Sequence, residues 1–152
     1  EGKYFQSLNT GKRSLTIDLS KPEGQALVHR IIPHFDVVIS NYRVGVTTRL
    51  NIDYPTLSRI RPDLIYVNVT GYGQSGPYRD RRVYDPVIQG LTGHVAAQVN
   101  PEMPFHDVHR TIVADKSTSY TVAQAITAAL LARERGLCRG QVIDVAGGWL
   151  MT

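Results

Sequence analysis

A chain of 152 residues can hold one domain with its own core, and 42% hydrophobic with 20% charged residues is an ordinary globular balance. No apolar run approaches the ~20 residues that span a bilayer, and a single cysteine, Cys138, excludes an intrachain disulfide and suits a reducing compartment. The net charge of +4 fits a polyanionic small molecule; no basic helix, zinc spacing or aromatic-basic motif speaks for nucleic acid.

The first residues, Glu1 to Phe5, read as neither signal nor transit peptide. The chain lacks an initiator Met and stops just after a strand-like run, so both ends read as cut. Ser14 to Leu19 (SLTIDL) alternates apolar and polar residues, the pattern of a half-buried strand. Lys21-Pro22-Glu23-Gly24 opens a helix, with Pro near N1 and an acid in the first turn. Ala26, Leu27, Ile31 and Ile32 form its apolar stripe, and Pro33 ends it. Asp36 to Ser40 (DVVIS) reads as a short strand buried on both faces of a parallel sheet.

Asp53 to Ile60 is a short helix closed by Arg61-Pro62, and Leu64 to Thr70 (LIYVNVT) is the clearest strand. Asp85 to Leu91 begins a helix with Asp85 as cap and Pro86 at N1. Residues 94 to 114 read mostly as loop. Lys116 to Arg135 is a long helix, apolar nearly all round and therefore buried, with Gly136 as its C′ residue. Gln141 to Ala146 is the last strand. Strands separated by helices predict an α/β fold: a Rossmann-like open sheet, mostly parallel, with flanking helices.

Four motifs carry chemistry. Gly71 to Gly76 matches the dinucleotide fingerprint literally, but Pro77 and the Arg79-Asp80-Arg81-Arg82 run follow where a helix must start. It therefore reads as a glycine-rich loop that lets a ligand approach the backbone. His106 and His109 lie in a proline-flanked loop without further ligands at metal spacing, so no metal site is expected. Asn41-Tyr42-Arg43-Val44-Gly45 follows a strand directly, where open α/β sheets bind ligands; Arg43 and Arg49 there can grip phosphates. Asp115 precedes the long helix, as a cap or as a carboxylate kept ionised by the helix dipole for covalent acyl chemistry.

The ordered set of motifs resembles the family III CoA-transferases, which include the formyl-CoA, carnitine-CoA and bile-acid CoA transferases and the related α-methylacyl-CoA racemases. It runs through Leu8-Asn9, Gly11 to Leu15, Asp18-Leu19, Pro22-Glu23-Gly24, Asn41-Tyr42-Arg43-x-Gly45 and Arg49-Leu50. It continues through Thr70 to Gln74, Gly76-Pro77-Tyr78, Tyr84-Asp85, Ala114-Asp115, Ala129 to Arg135 and Gly140-Gln141. The resemblance implies that Asp115 is the aspartate that attacks an acyl-CoA thioester, giving first an anhydride and then an aspartyl-CoA thioester. It implies that Asn41, Tyr42, Arg43, Arg49 and Arg82 bind coenzyme A and that Tyr84 is an active-site tyrosine.

Racemases of the family carry a His-Asp pair where this chain has Tyr84-Asp85. A phenol of pKa near 10 is a poor base at neutrality, which favours transfer over racemisation. A non-catalytic CoA-binding paralogue is the third reading. The resemblance further implies that residues 1–152 are the central part of a large α/β domain. The start of that domain and a smaller C-terminal domain are then absent, and the full-length protein is an interlocked cytoplasmic homodimer (a mitochondrial or peroxisomal one being the variant). Acyl-CoA and a carboxylic acid are the expected partners, with no membrane and no nucleic acid. Arg43-Val44-Gly45 departs from the family's Arg-Pro-Gly but keeps the guanidinium.

Overall fold

A computed structural model describes residues 2–103 and 107–150. Three strands form one parallel sheet in the order β1 (Val37–Ser40), β2 (Ile65–Thr70), β3 (Gln141–Ala146). The β-branched and aromatic run of β2 takes the central place, where Ile65, Tyr66 and Val67 are sealed from water on both faces. Each such side chain contributes about 1.5–3 kcal/mol by leaving water.

The two faces are set by alternation. Ile65, Val67 and Val145 point toward Val122 and Ala129 of a long helix, α7 (Val113–Glu134). Tyr66 and Leu64 point the other way, against Ile32 and Leu57. That second layer holds α2 (Pro22–Ile31), the 3₁₀ turn Ile32–His34 and α4 (Tyr54–Ile60). The buried Tyr66 hydroxyl donates to the Ile52 carbonyl at 2.9 Å. Short helices α1 (Lys3–Asn9), α3 (Val46–Arg49), α5 (Asp85–Leu91), α6 (His94–Ala97) and α8 (Gly147–Leu150) complete the chain. No helix among the described residues is long and apolar enough to cross a membrane.

Local signals hold where they concern the backbone alone. Pro22 sits in the first turn of α2. Gly136, at φ +70°, ends α7: its N–H donates to Arg133 O, and Leu137 N–H reaches back to Ala132 O. Asp53 caps α4 by accepting from Thr56 N–H at 3.1 Å. Burial pushes the Asp53 carboxyl up, but hydrogen bonds from Thr56 and Thr48 outweigh it and hold it below the usual aspartate value. The contribution is therefore present above the unfolded-chain pKa and disappears as pH falls through the lower folded value. Asp53→Ala should cost about 1 kcal/mol at neutral pH and nearly nothing in strong acid, as thermal melts at the two pH values would show.

Several expectations need correction. Ser14–Leu19 forms no strand: Ile17 and Leu19 are half-buried, but no neighbouring strand offers a hydrogen-bond ladder. β1 is an edge strand, and Ile39, 57% exposed, lies beyond the cover of α7. The inner stripe of α2 and its following turn is Val28, Ile31 and Ile32, with Ala26 facing out. α7 is buried along one side only; Tyr120 and Leu131 are exposed, because its many alanines read as apolar without demanding burial. α7 also begins three residues earlier than expected, and α6 interrupts the expected loop. Pro86 falls at the second position of α5, because the cap is Tyr84 and Asp85 opens the helix.

Candidate active site

All three strands run the same way, so the segments after β1 and β2, the start of α8 and the N-terminus of the returning helix α7 gather at the carboxyl end of the sheet. A cleft of about 200 Å³ opens there, lined by Asn41, Thr70, Tyr84, Asp85, Asp115 and Thr118 among others. A second, of about 140 Å³, is lined by Tyr42, Arg43, Arg79, Arg81, Arg82 and Tyr84. The two adjoin through Thr70, Gly71, Val83 and Tyr84, with the carboxylates Asp85 and Asp115 lining one part of this groove and four guanidiniums the other. Two larger hollows, of about 470 Å³ beside Tyr72 and Leu91 and about 420 Å³ beside Phe35 and Ile39, are lined by no carboxylate, imidazole, thiol or guanidinium, whereas one of about 250 Å³ is lined by Asp107, His109 and Arg110.

Gly71 makes the groove possible. A Cβ there would lie 2.3 Å from Val83 Cγ1, so only glycine lets the end of β2 pass against the segment that delivers Arg82 and Tyr84. Gly148 N–H donates to Gly71 O at 2.8 Å and fixes the same crossing from the other side. The glycine-rich loop runs on from residue 71 to 84 without a helix, in agreement with its reading as something other than a dinucleotide fingerprint. Tyr84 is the N-cap residue of α5, 74% exposed, and lines both halves of the groove.

Asp115 is the third residue of α7, not its cap; Ile112 holds that position. The residue as a whole is exposed, yet burial around its carboxyl, and then the negative Asp85 nearby, push its pKa above the usual aspartate value. These effects outweigh the helix N-terminus, which on its own would favour the charged form. Among the described residues Arg43 and Arg82 have no ion-pair partner. Arg79 pairs with Asp80 at 3.2 Å, and Arg81 lies 4.6 Å from the Tyr78 ring centroid. Arg49, at the end of α3, lines neither half of the groove.

The run Arg79 to Arg82 reads in the sequence as a solvated turn or a phosphate contact, with Arg82 alone assigned to binding; Arg79 and Arg81 line the groove as well. Asp85 likewise reads there as a cap. Gln89 four residues later, on the same helix face, was the available sign that Asp85 turns inward. His109 contributes its backbone to Gln89, and its ring meets His94 edge-on at 6.5 Å. His106 lies outside the described residues. Among those described, no cluster of three or more His, Cys, Asp or Glu could hold a metal.

The model of CoA-transferase family III matches residues 1–148. The chain belongs to that family. It is 40% identical over 144 residues to a succinate–glutarate CoA-transferase of Agrobacterium fabrum, covering 94% of this chain and 35% of that protein. It is 34% identical over 142 residues to a succinyl-CoA–D-citramalate CoA-transferase of Chloroflexus aurantiacus, covering 93% of this chain and 35% of that one. The crystal structure of a CAIB/BAIF family protein from Brucella suis superposes with a TM-score of 0.87 at 38% identity, over 93% of this chain and 37% of that chain. This family III chain thus spans about a third of the length of the relatives it matches, and its open parallel sheet with flanking helices is theirs.

Proposed function

We propose that the chain is the central part of the large α/β domain of a CoA-transferase, which moves coenzyme A between carboxylic acids through covalent states of Asp115. The carrying observation is the pair of adjoining clefts, one lined by Asp115, the other by Arg43 and Arg82, with Tyr84 common to both. Guanidiniums suit the phosphates of coenzyme A, and a nucleotide held by them would leave the thioester to enter the adjoining cleft of Asp115. Asn41 and Tyr42 flank the same path, and Arg49 offers a further charge outside it.

In the chemistry proposed, an Asp115 oxygen attacks the thioester carbonyl and the C–S bond breaks, leaving an anhydride and free thiolate. The thiolate attacks the aspartyl carbonyl and expels the donor acid as carboxylate, leaving an aspartyl-CoA thioester. An acceptor carboxylate reverses both steps and regenerates Asp115. Nucleophilic catalysis of this kind replaces one difficult exchange by easier ones and needs no metal or external proton. The absence of a basic partner at position 84 disfavours α-proton removal. The matched relatives' names and the family's own support transfer between acids. The length ratio supports a longer protein with a second domain, and we place it as a homodimer in the cytoplasm.

The test is exchange by the full-length protein. Label in a donor acyl-CoA should be released as free acid while a supplied acid becomes its CoA ester, and no deuterium should enter the α-carbon from heavy water. Deuterium uptake without exchange would favour the racemase instead; CoA binding without either reaction would favour a non-catalytic paralogue. The pH profile has a sign. Asp115 must be deprotonated to attack, and its pKa is raised, so activity is present above that pKa and lost below it. The acid limb of kcat/KM should stand above the ordinary aspartate value of about 3.9, and a limb at or below it contradicts the assignment.

A further inference from the structure

Asp85 is 5% exposed and forms no ion pair among the described residues, an expensive condition for a carboxylate. Both of its oxygens accept from N–H groups. Oδ2 accepts the backbone N–H of Asp115 at 3.0 Å, and Oδ1 accepts from Nε2 of Gln89. Gln89 is itself fully buried, and its amide is oriented by the backbone of His109. Its Oε1 accepts His109 N–H at 2.7 Å, while Nε2 also donates to His109 O at 3.3 Å. Position 85 must therefore supply two acceptors. A carboxylate does so and an amide does not.

The consequence reaches the reaction. Asp85 and Asp115 are like charges sharing one cleft when Asp115 is free. When Asp115 becomes an aspartyl thioester, its negative charge leaves with the departing donor acid, and the repulsion vanishes. A fixed charge beside the nucleophile thus raises the free state relative to the covalent one, while its hydrogen bond holds the first turn of α7 in place. We propose that Asp85, oriented by Gln89, is a positioning residue whose fixed negative charge favours the covalent, neutral state of Asp115. The raised pKa of Asp115 has the same physical origin in part. The proposal rests on Asp115 being the nucleophile.

The experiment uses full-length enzyme with acyl-CoA and no acceptor acid, reading the ratio of aspartyl-CoA adduct to free enzyme by intact mass. Asp85→Asn should lower that ratio about tenfold, and lower kcat with little change in KM for acyl-CoA. Asp85→Glu keeps the charge but shifts its reach; it should retain the wild-type ratio while kcat falls. A merely structural role would lower activity in both variants without moving the ratio. An unchanged ratio in a folded Asp85→Asn overturns the proposal. If that variant does not fold, loss of the ratio in Asp85→Glu overturns it instead. A wild-type enzyme that forms no adduct on Asp115 overturns the nucleophile assignment and this inference with it, whereas an adduct indifferent to residue 85 defeats the inference alone.

Discussion

Replacing Asp115 with alanine is expected to abolish exchange between acyl-CoA and acid in the full-length protein, lowering kcat/KM by about a thousandfold or more. The covalent path has no second nucleophile to fall back on: Asp85, the other carboxylate of the cleft, is buried with both oxygens held by N–H groups, and Tyr84 offers only a phenol. Binding of coenzyme A should be untouched, because the guanidinium end of the groove is a separate wall. Stability should barely change. The lost charge at a helix N-terminus costs about 0.3–1 kcal/mol, and relief of repulsion with Asp85 offsets it. Calorimetry, thermal melting and hydroxylamine trapping on one preparation would separate these outcomes. Retained turnover in the alanine variant would remove Asp115 from the mechanism.

The double variant Arg43→Ala with Arg82→Ala should weaken coenzyme A binding by about a hundredfold or more. Each charge-assisted hydrogen bond to phosphate is worth about 1.5–3 kcal/mol, and about 1.4 kcal/mol is a factor of ten in affinity. The groove is open to solvent, so the lower end of that range applies, and neighbouring Arg79 and Arg81 remain as partial substitutes. The wild-type affinity should also fall with added salt more steeply than the variant's. Titration calorimetry at two ionic strengths measures both effects. An unchanged dissociation constant would mean that the nucleotide lies elsewhere.

The fold was legible where a residue constrains its own backbone. Pro22, Gly136 and the capping Asp53 act within a turn or two, so their reading needs no partner. Ser14–Leu19 shows the limit: alternation creates a strand-shaped ribbon, but a strand exists only when another chain segment takes its hydrogen bonds. The same limit applied to the outer side of α7, where alanine tolerates either environment. The candidate site was legible as residue types through family resemblance, while its assembly was not. That Tyr84 and Asp115 line one cleft follows from parallel strands returning their helices to a common end, a relation absent from any local window. Asp85 was misread because Asp before Pro is a good cap in isolation, and its inward turn depends on an acceptor-hungry backbone thirty residues away.

At the amino end of the sheet, Asp36 Oδ1 accepts from both Arg61 and Arg133 at 2.8 Å, and Arg133 also donates to Asp63 O at 3.0 Å. This bolts the last turn of α7 to the foot of two strands. From Arg133 the helix runs about 27 Å, at 1.5 Å per residue, to Asp115. Between its ends Val122 and Ala129 seat it on the sheet, and the Asp85 carboxylate holds its first turn by accepting Asp115 N–H. The ionic knot at one end and the buried Asp85 carboxylate at the other thus pin the helix that carries Asp115 at both of its ends.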